Sequence, residues 1–268
     1  MIFPKSGLSS PAKIPSKVVL PLPEGPVSET QDPVGIEKEI FLRTVRLENF
    51  LVRLATSITC AILILAGANS NAATDLPKRI KILAYGDSLT AGFRLPPQEA
   101  YPKQLEALLQ KEGYPVEIIN GGVSGDTSAQ ALARLEWNLK KGGPFNFVLL
   151  EIGANDGLRM LSVAALEKNT EQMITRFKKD GAQVILLGMK LPLNTDAVYR
   201  HRFEKMYAEL AKKHRLSLIP FFLEGIATRV DLNLDDGIHP TAKGYAIAAQ
   251  NVAIHLKPML KKIQPAIN

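Results

Sequence analysis

Four short polar segments hold the residue types that can do covalent chemistry. They are Gly86-Asp87-Ser88-Leu89, Gly122-Val123-Ser124-Gly125-Asp126-Thr127, Gly153-Ala154-Asn155-Asp156 and Asp235-Asp236-Gly237-Ile238-His239-Pro240. A serine hydroxyl attacks poorly until a base takes its proton, and imidazole is the side chain that titrates near neutrality. Ser88 is therefore a candidate nucleophile and His239 its candidate base. Asp236 lies three residues before His239. Within one turn its carboxylate can reach the ring's Nδ1–H, fix the tautomer and stabilise an imidazolium, in the chain order Ser, Asp, His. Asp235 is the rival for that task. Each residue also has a structural reading: Ser88 or Asp236 as a helix cap, Asn155 as a loop residue bonding nearby backbone. His201 and His214 sit on a helix rich in Arg and Lys, and His255 lies near the end of the last helix. With no H-E-x-x-H or Cys–His grouping, neither a metal nor another cofactor is expected.

The elements around these segments alternate. Ile80–Tyr85, Val116–Ile119, Phe147–Leu150, Val184–Leu187 and a stretch within Leu216–Phe222 are short apolar runs, which read as strands by length and boundary. Tyr101–Lys111, with Pro102 at its start, Thr127–Leu139, Val163–Lys179, Ala197–His214 and Thr241–Leu256 read as helices. Strands alternating with helices predict parallel βαβ units with both sheet faces covered. The expected fold is a doubly wound three-layer α/β/α domain with five parallel strands, its site at the carboxyl ends of the strands. Three of the polar segments follow a strand and the fourth precedes the last helix, so the fold would gather all four at one sheet edge.

In these four blocks the chain resembles the GDSL family, also called SGNH hydrolases after the Ser, Gly, Asn and His of the blocks. The resemblance runs from about Ile80 to Leu256 and implies the flavodoxin-like fold of that family. The phrases GDSLTAGFR, SGDTSAQALARL, NDGLR, IPFFLEG and DDGIHP are similar to the bacterial periplasmic acyl-CoA thioesterase I, lysophospholipase and arylesterase group. Ala154 stands where that group commonly has a second glycine. The resemblance implies hydrolysis of acyl esters, thioesters or lysolipids by Ser88, Asp236 and His239, since the family's D-x-x-H spacing selects Asp236 over Asp235. It assigns oxyanion binding to the backbone N–H groups of Ser88 and Gly125 and to the Asn155 amide. Gly125 suits this role because a missing Cβ permits close approach. Asp87 and Asp126 are expected to bond local backbone. Leu158, Met160 and Leu161, beside a Gly157 hinge, and Leu191 on the loop after the fourth strand are expected to wall an acyl-chain groove, or else to fill the core beneath those loops.

Other chemistries fit less well. Gly86-Asp87-Ser88-Leu89-Thr90 lacks the second glycine of G-x-S-x-G. Gly121-Gly122-Val123-Ser124-Gly125 fails the G-x-G-x-x-G spacing, and no GK[ST] occurs. A carbohydrate-ester deacetylase is the alternative enzyme, and a non-catalytic binding protein on the same scaffold is the alternative of another class. A formal net charge of +7 without a nucleic-acid motif argues for a basic surface rather than nucleic-acid binding. The expected partners are small acyl ester, thioester or lysolipid substrates of a monomeric enzyme.

Residues 54–68 form an uncharged apolar run after Arg43, Arg46 and Arg53, followed by small residues. This is the pattern of a secretory signal peptide. Such a run rises about 22 Å as a helix, short of a ~30 Å hydrocarbon core. The lone cysteine, Cys60, lies inside it and excludes a disulfide framework. Residues 1–42 hold seven of the eighteen prolines and read as a disordered or mis-called extension, with the true start near Val45 or Leu47. Residues 43–72 then form the signal peptide and 73–268 the hydrolase domain, exported to the periplasm or secreted without stable membrane insertion. Sequencing the exported protein should give a first residue of Ala73, or Asn69 if cleavage follows Ala68. An intact Met1 would overturn the assignment.

Overall fold

In a computed structural model of the chain, residues 79–263 are described. The expected extension and signal peptide lie outside them. Five strands form one parallel sheet in the order β2-β1-β3-β4-β5. These are β1 (Ile80–Gly86), β2 (Val116–Gly122), β3 (Phe147–Glu151), β4 (Gln183–Leu187) and β5 (Ser217–Ile219). Every residue of β3 is buried, and β1 and β4 are nearly so. That follows from their largely apolar sequence, because a central parallel strand is covered on both faces. The edge strand β2 reads VEIINGG and starts by alternating buried with half-buried residues.

The helices are α1 (Ser88–Ala91), α2 (Tyr101–Lys111), α3 (Ser128–Ala133), α4 (Leu135–Gly142), α5 (Ala154–Leu158), α6 (Val163–Lys179), α7 (Ala197–His214) and α8 (Ala242–Ile263). α2 packs on α8, while α3 packs on α6 and α6 on α7. Right-handed crossovers require this division. The chain steps one way from β1 to β2 and the other way from β2 through β3, β4 and β5, so α2 falls on one face and α3, α6 and α7 on the opposite one. Tyr85, Phe147, Phe177, Phe203, Tyr207, Phe222 and Tyr245 are buried in the two cores that result. The three-layer doubly wound fold is the one expected.

Some boundaries differ from expectation. The helix expected over Thr127–Leu139 is two helices that meet at Arg134. Helical periodicity passes through that residue, but its side chain is drawn into the end of the sheet, as described below. β5 is three residues long, and the chain from Pro220 to Phe222 has left the sheet. α8 runs on to Ile263 with Pro258 inside it. The short helices α1 and α5 are too brief to show a period.

Register aligns the strand ends. Gly86 pairs with Gly122 across β1 and β2, Tyr85 with Leu150 across β1 and β3, and Glu151 with Leu187 across β3 and β4. The order reverses at β1, so the loops after β1 and β3 open a crevice between them. Gly86 sits where the chain turns into it. A Cβ there would lie 2.2 Å from Thr90 Oγ1 and 2.3 Å from the Glu151 carbonyl oxygen. Gly86→Ala is expected to cost about 1–3 kcal/mol by overpacking, lowering Tm by at least about 2 °C. A calorimetric Tm equal to that of the parent chain would contradict the crowding.

Candidate active site

Asp87, the residue between β1 and α1, accepts a hydrogen bond from Leu89 N at 3.0 Å and so caps that short helix. The cap turns Ser88 into the first helical position, 9% exposed at the carboxyl edge of the sheet. Its Oγ lies 2.8 Å from His239 Nε2, a contact between residues 151 apart in the chain. His239 Nδ1 lies 2.8 Å from Asp236 Oδ2. The other oxygen, Asp236 Oδ1, accepts from Ile238 N at 2.9 Å and His239 N at 3.0 Å. Partial burial pushes the Asp236 carboxyl up. The backbone N–H groups of His239 and Ile238 and the imidazole outweigh it and hold its pKa down at about 2. The carboxylate is thus ionised at neutral pH, beside the ring nitrogen that can donate to it. Asp235 makes no such contact and is exposed. Phe93, at the end of GDSLTAGF, lies against the imidazole with ring centroids 4.5 Å apart. Sequence reasoning gave it no role, and its only signal was an aromatic residue soon after Ser88.

The loop after β2 approaches from the other side. Gly125 has φ +87°, a left-handed conformation that favours glycine. Nothing lies within 4 Å of where its Cβ would be. Within the chain itself the glycine is required by the backbone angle; the close approach expected from the sequence is that of a substrate. Among the described residues, neither Ser88 N nor Gly125 N donates a hydrogen bond. Asn155, near the start of α5, gives one amide hydrogen to the Asp126 carbonyl at 3.0 Å. A carboxamide carries two, which leaves one for another acceptor. Asp156 accepts from Ser128 N at 2.8 Å and Ser128 Oγ at 2.6 Å, tying the β3 and β2 loops together. The Asp126 carboxylate bonds the Arg134 side chain rather than local backbone.

A cleft of about 400 Å³ opens beside this edge. Leu158 and Leu191 line it, joined by Leu89, Leu193, Phe221 and Ile238. Met160 and Leu161 are exposed and do not line it. Gly157 is buried within α5, where a Cβ would lie 2.5 Å from Leu191 Cδ2 and 2.8 Å from Phe203 Cε2, so its missing side chain serves packing. The two expected residues that fall outside the cleft follow α5, which turns the chain outward at Met160 (φ +54°). No group of three or more His, Cys, Asp or Glu among the described residues is placed to hold a metal ion.

This arrangement sits on a chain whose residues 84–247 match the model of the GDSL-like Lipase/Acylhydrolase family. The chain belongs to that family. It is a hydrolase of carboxylic esters. It is 38% identical to an arylesterase of Vibrio mimicus over 176 residues, 66% of this chain and 88% of that protein. It is 36% identical to Thioesterase 1/protease 1/lysophospholipase L1 of Escherichia coli K12 over 179 residues, 67% of this chain and 84% of that one. The crystal structure of TesA superposes with a TM-score of 0.64 at 37% identity, covering 67% of this chain and 99% of that one. The psychrotrophic esterase EstA from Pseudoalteromonas sp. gives 0.64 at 30% identity, covering 68% and 99%. No helix among the described residues is long and apolar enough to cross a membrane.

Beneath the GDSL loop lie two carboxyl groups. Asp87 and Glu151 are both fully buried, and Thr90 Oγ1 donates to Glu151 at 2.9 Å. Burial foremost raises both: Asp87 to about 7, and Glu151 well above the ordinary carboxyl range, with the neighbouring Asp87 charge adding to it. The unfolded chain releases these protons near pH 4, while the folded chain retains them to higher pH. Folding stability contributed by the pair must therefore fall as pH rises between those values. Glu151→Gln keeps the shape and removes one of the two protons. Its urea midpoint should decline less than the parent's between about pH 5 and about pH 8. Parallel declines would contradict the raised values.

Proposed function

We propose that Ser88, His239 and Asp236 act as a nucleophilic triad that hydrolyses acyl esters and thioesters through an acyl-enzyme. The observation that carries the reading is the continuous pair of 2.8 Å contacts from Ser88 Oγ through the imidazole to Asp236. Ser88 Oγ bonds the substrate carbonyl carbon as its proton passes to His239 Nε2. The carbonyl becomes an oxyanion, met by Ser88 N–H, Gly125 N–H and the second amide hydrogen of Asn155. Such donors act in a partly dry site and need no reorganisation as charge develops. Collapse breaks the carbon–oxygen or carbon–sulfur bond, and the imidazolium gives its proton to the leaving alcohol or thiol. Water then repeats the sequence on the acyl-enzyme and frees Ser88.

The relatives' names support this range of leaving groups, since one is an arylesterase and another a thioesterase and lysophospholipase. The EstA structure is inhibited by monoethylphosphonate. The cleft of Leu89, Leu158, Leu191 and Ile238 offers the acyl chain an apolar wall. Each buried CH₂ is worth ~0.8 kcal/mol, so a few methylenes outweigh the contacts of a small head group. The enzyme then selects the acyl tail and accepts alcohol, thiol or lysophospholipid glycerol as leaving group. The reading takes the enzyme as a monomer. Export, with residues 43–72 as the leader, completes the reading.

The test is a chain-length series of p-nitrophenyl esters, with acyl-CoA and lysophospholipid beside it. Ser88→Ala and His239→Ala should each lower kcat at least ~10³-fold, with Asp236→Ala milder. Leu158→Asp, at a side chain 45% exposed, should depress medium and long chains and spare acetyl esters. Ser88→Ala activity within tenfold of the parent rejects the nucleophile. Equal loss across the series for Leu158→Asp rejects the cleft as the acyl site.

A further inference from the structure

Arg134 is the residue at which the expected helix breaks. Its side chain reaches under the site and meets three acceptors, one with each end nitrogen and one with Nε. Nη2 donates to the Gly86 carbonyl at 2.8 Å and Nη1 to the Gly121 carbonyl at 2.8 Å. Nε donates to Asp126 Oδ2 at 2.5 Å. The guanidinium carbon lies 4.3 Å from the centroid of the Tyr85 ring. The side chain is 18% exposed and the Asp126 side chain 10%. Gly86 immediately precedes Asp87 and Ser88, Gly121 lies at the end of β2, and Asp126 immediately follows Gly125. One planar cation thus holds the ends of two strands and the far side of the Gly125 turn.

We infer that Arg134 and Asp126 are positioning residues that set the distance between the Ser88 nucleophile and the Gly125 N–H. This rests on the reading of Gly125 as an oxyanion donor. Three further bonds constrain the same loop, one of them from Arg159 Nη2 to the Gly125 carbonyl at 3.3 Å. Val123 N donates to the Gly86 carbonyl at 3.1 Å, so that carbonyl serves both the loop and the clamp. Asn155 Nδ2 donates to the Asp126 carbonyl at 3.0 Å, so the backbone that Arg134 restrains also orients the third oxyanion donor. Gly125 itself has no side chain, and its left-handed φ leaves the turn dependent on its neighbours for placement. Loss of the clamp would let the Gly125 and Asn155 donors drift together relative to Ser88.

Arginine is required for a geometric reason. Its fork presents N–H groups in fixed directions, whereas a lysine ammonium is a point charge on a flexible stem. Arg134→Lys keeps the charge near Asp126 but cannot meet both carbonyls and the carboxylate at once. Asp126→Asn keeps size and removes the ionic partner while leaving the two carbonyl contacts. The cost of misplacing a catalytic donor falls on the transition state, where the oxyanion exists, and little on substrate binding.

The experiment measures kcat and KM on a p-nitrophenyl ester and the Ki of a matching acyl trifluoromethyl ketone. That ketone forms a tetrahedral adduct with a serine hydroxyl and presents an oxyanion to the same donors. Arg134→Lys should lower kcat/KM by about tenfold to a hundredfold, with KM within about threefold. The ketone's Ki should rise by the same factor as kcat/KM falls. Asp126→Asn should show a smaller loss of the same kind, and the double variant a loss short of the product of the two. Should Arg134→Lys fail to fold by circular dichroism, Asp126→Asn alone decides. A folded variant whose kcat/KM stays within twofold overturns the clamp. So does a loss carried by KM, or a lowered Tm with unchanged ketone Ki, because a merely structural residue behaves that way. Ser88→Ala separates the two readings: if it abolishes activity while the clamp variants stay active, the clamp falls and the triad stands. If it stays active, the triad falls first.

Discussion

The parallel register of β1 against β2 and β3 constrains everything at the site. Gly86 and Gly122 are paired, so the chain leaves both strands at one level. α1 then rises directly beside the end of β2, where a Cβ on Gly122 would lie 2.3 Å from Ala91 N. Two glycines at the strand ends permit that approach. A shift of one residue in either strand would turn its side chains to the opposite face and carry Ser88 away from the Gly125 turn. The reversal of strand order at β1 then opens the space between the β1 and β3 loops, into which Ser88 and Asn155 project from opposite walls.

Two polar layers meet at this edge under different electrostatic conditions. In the upper one, Asp236 is held ionised by two backbone N–H groups and the imidazole, and the contacts run inward from the exposed Asp236 to the buried Ser88. In the lower one, Asp87 and Glu151 are fully buried and held toward their neutral forms. Two ionised carboxylates there would face an uncompensated desolvation cost. The shared resource is Asp87, which caps α1 through Leu89 N and belongs to the buried pair as well. The guanidinium of Arg134 is directed to Asp126 and two carbonyls instead. The guanidinium thus restrains the loop after β2 and leaves the carboxyl pair to hold its protons.

The apolar cleft meets the polar centre through residues that adjoin it in the chain. Leu89 follows Ser88, Ala154 precedes Asn155, and Ile238 precedes His239. Each loop therefore alternates a polar group with an apolar one, and the fold sorts them to two sides of one edge. Leu191 is buried against Gly157 and Leu158 is half exposed. The cleft has one wall anchored in the core and another facing solvent.

The sequence by itself determined the layers and the local chemistry. Apolar runs of strand length alternating with helical periods specify a doubly wound sheet, because those patterns depend only on which side chains must leave water. Asp236 and His239 are three residues apart, so their pairing is also local. The family blocks named Ser88, Gly125, Asn155, Asp236 and His239 as a group. Only the tertiary structure decided what joins them. Ser88 meets His239 across 151 residues, and Phe93 reaches the imidazole from a separate loop. It also broke the expected helix at Arg134, turned Met160 and Leu161 away from the cleft, and gave Gly157 a packing role. In each case the deciding interaction has its partner on another element. Periodicity records whether a side chain is buried, and it carries no information about which distant carbonyl, ring or carboxylate the side chain will meet.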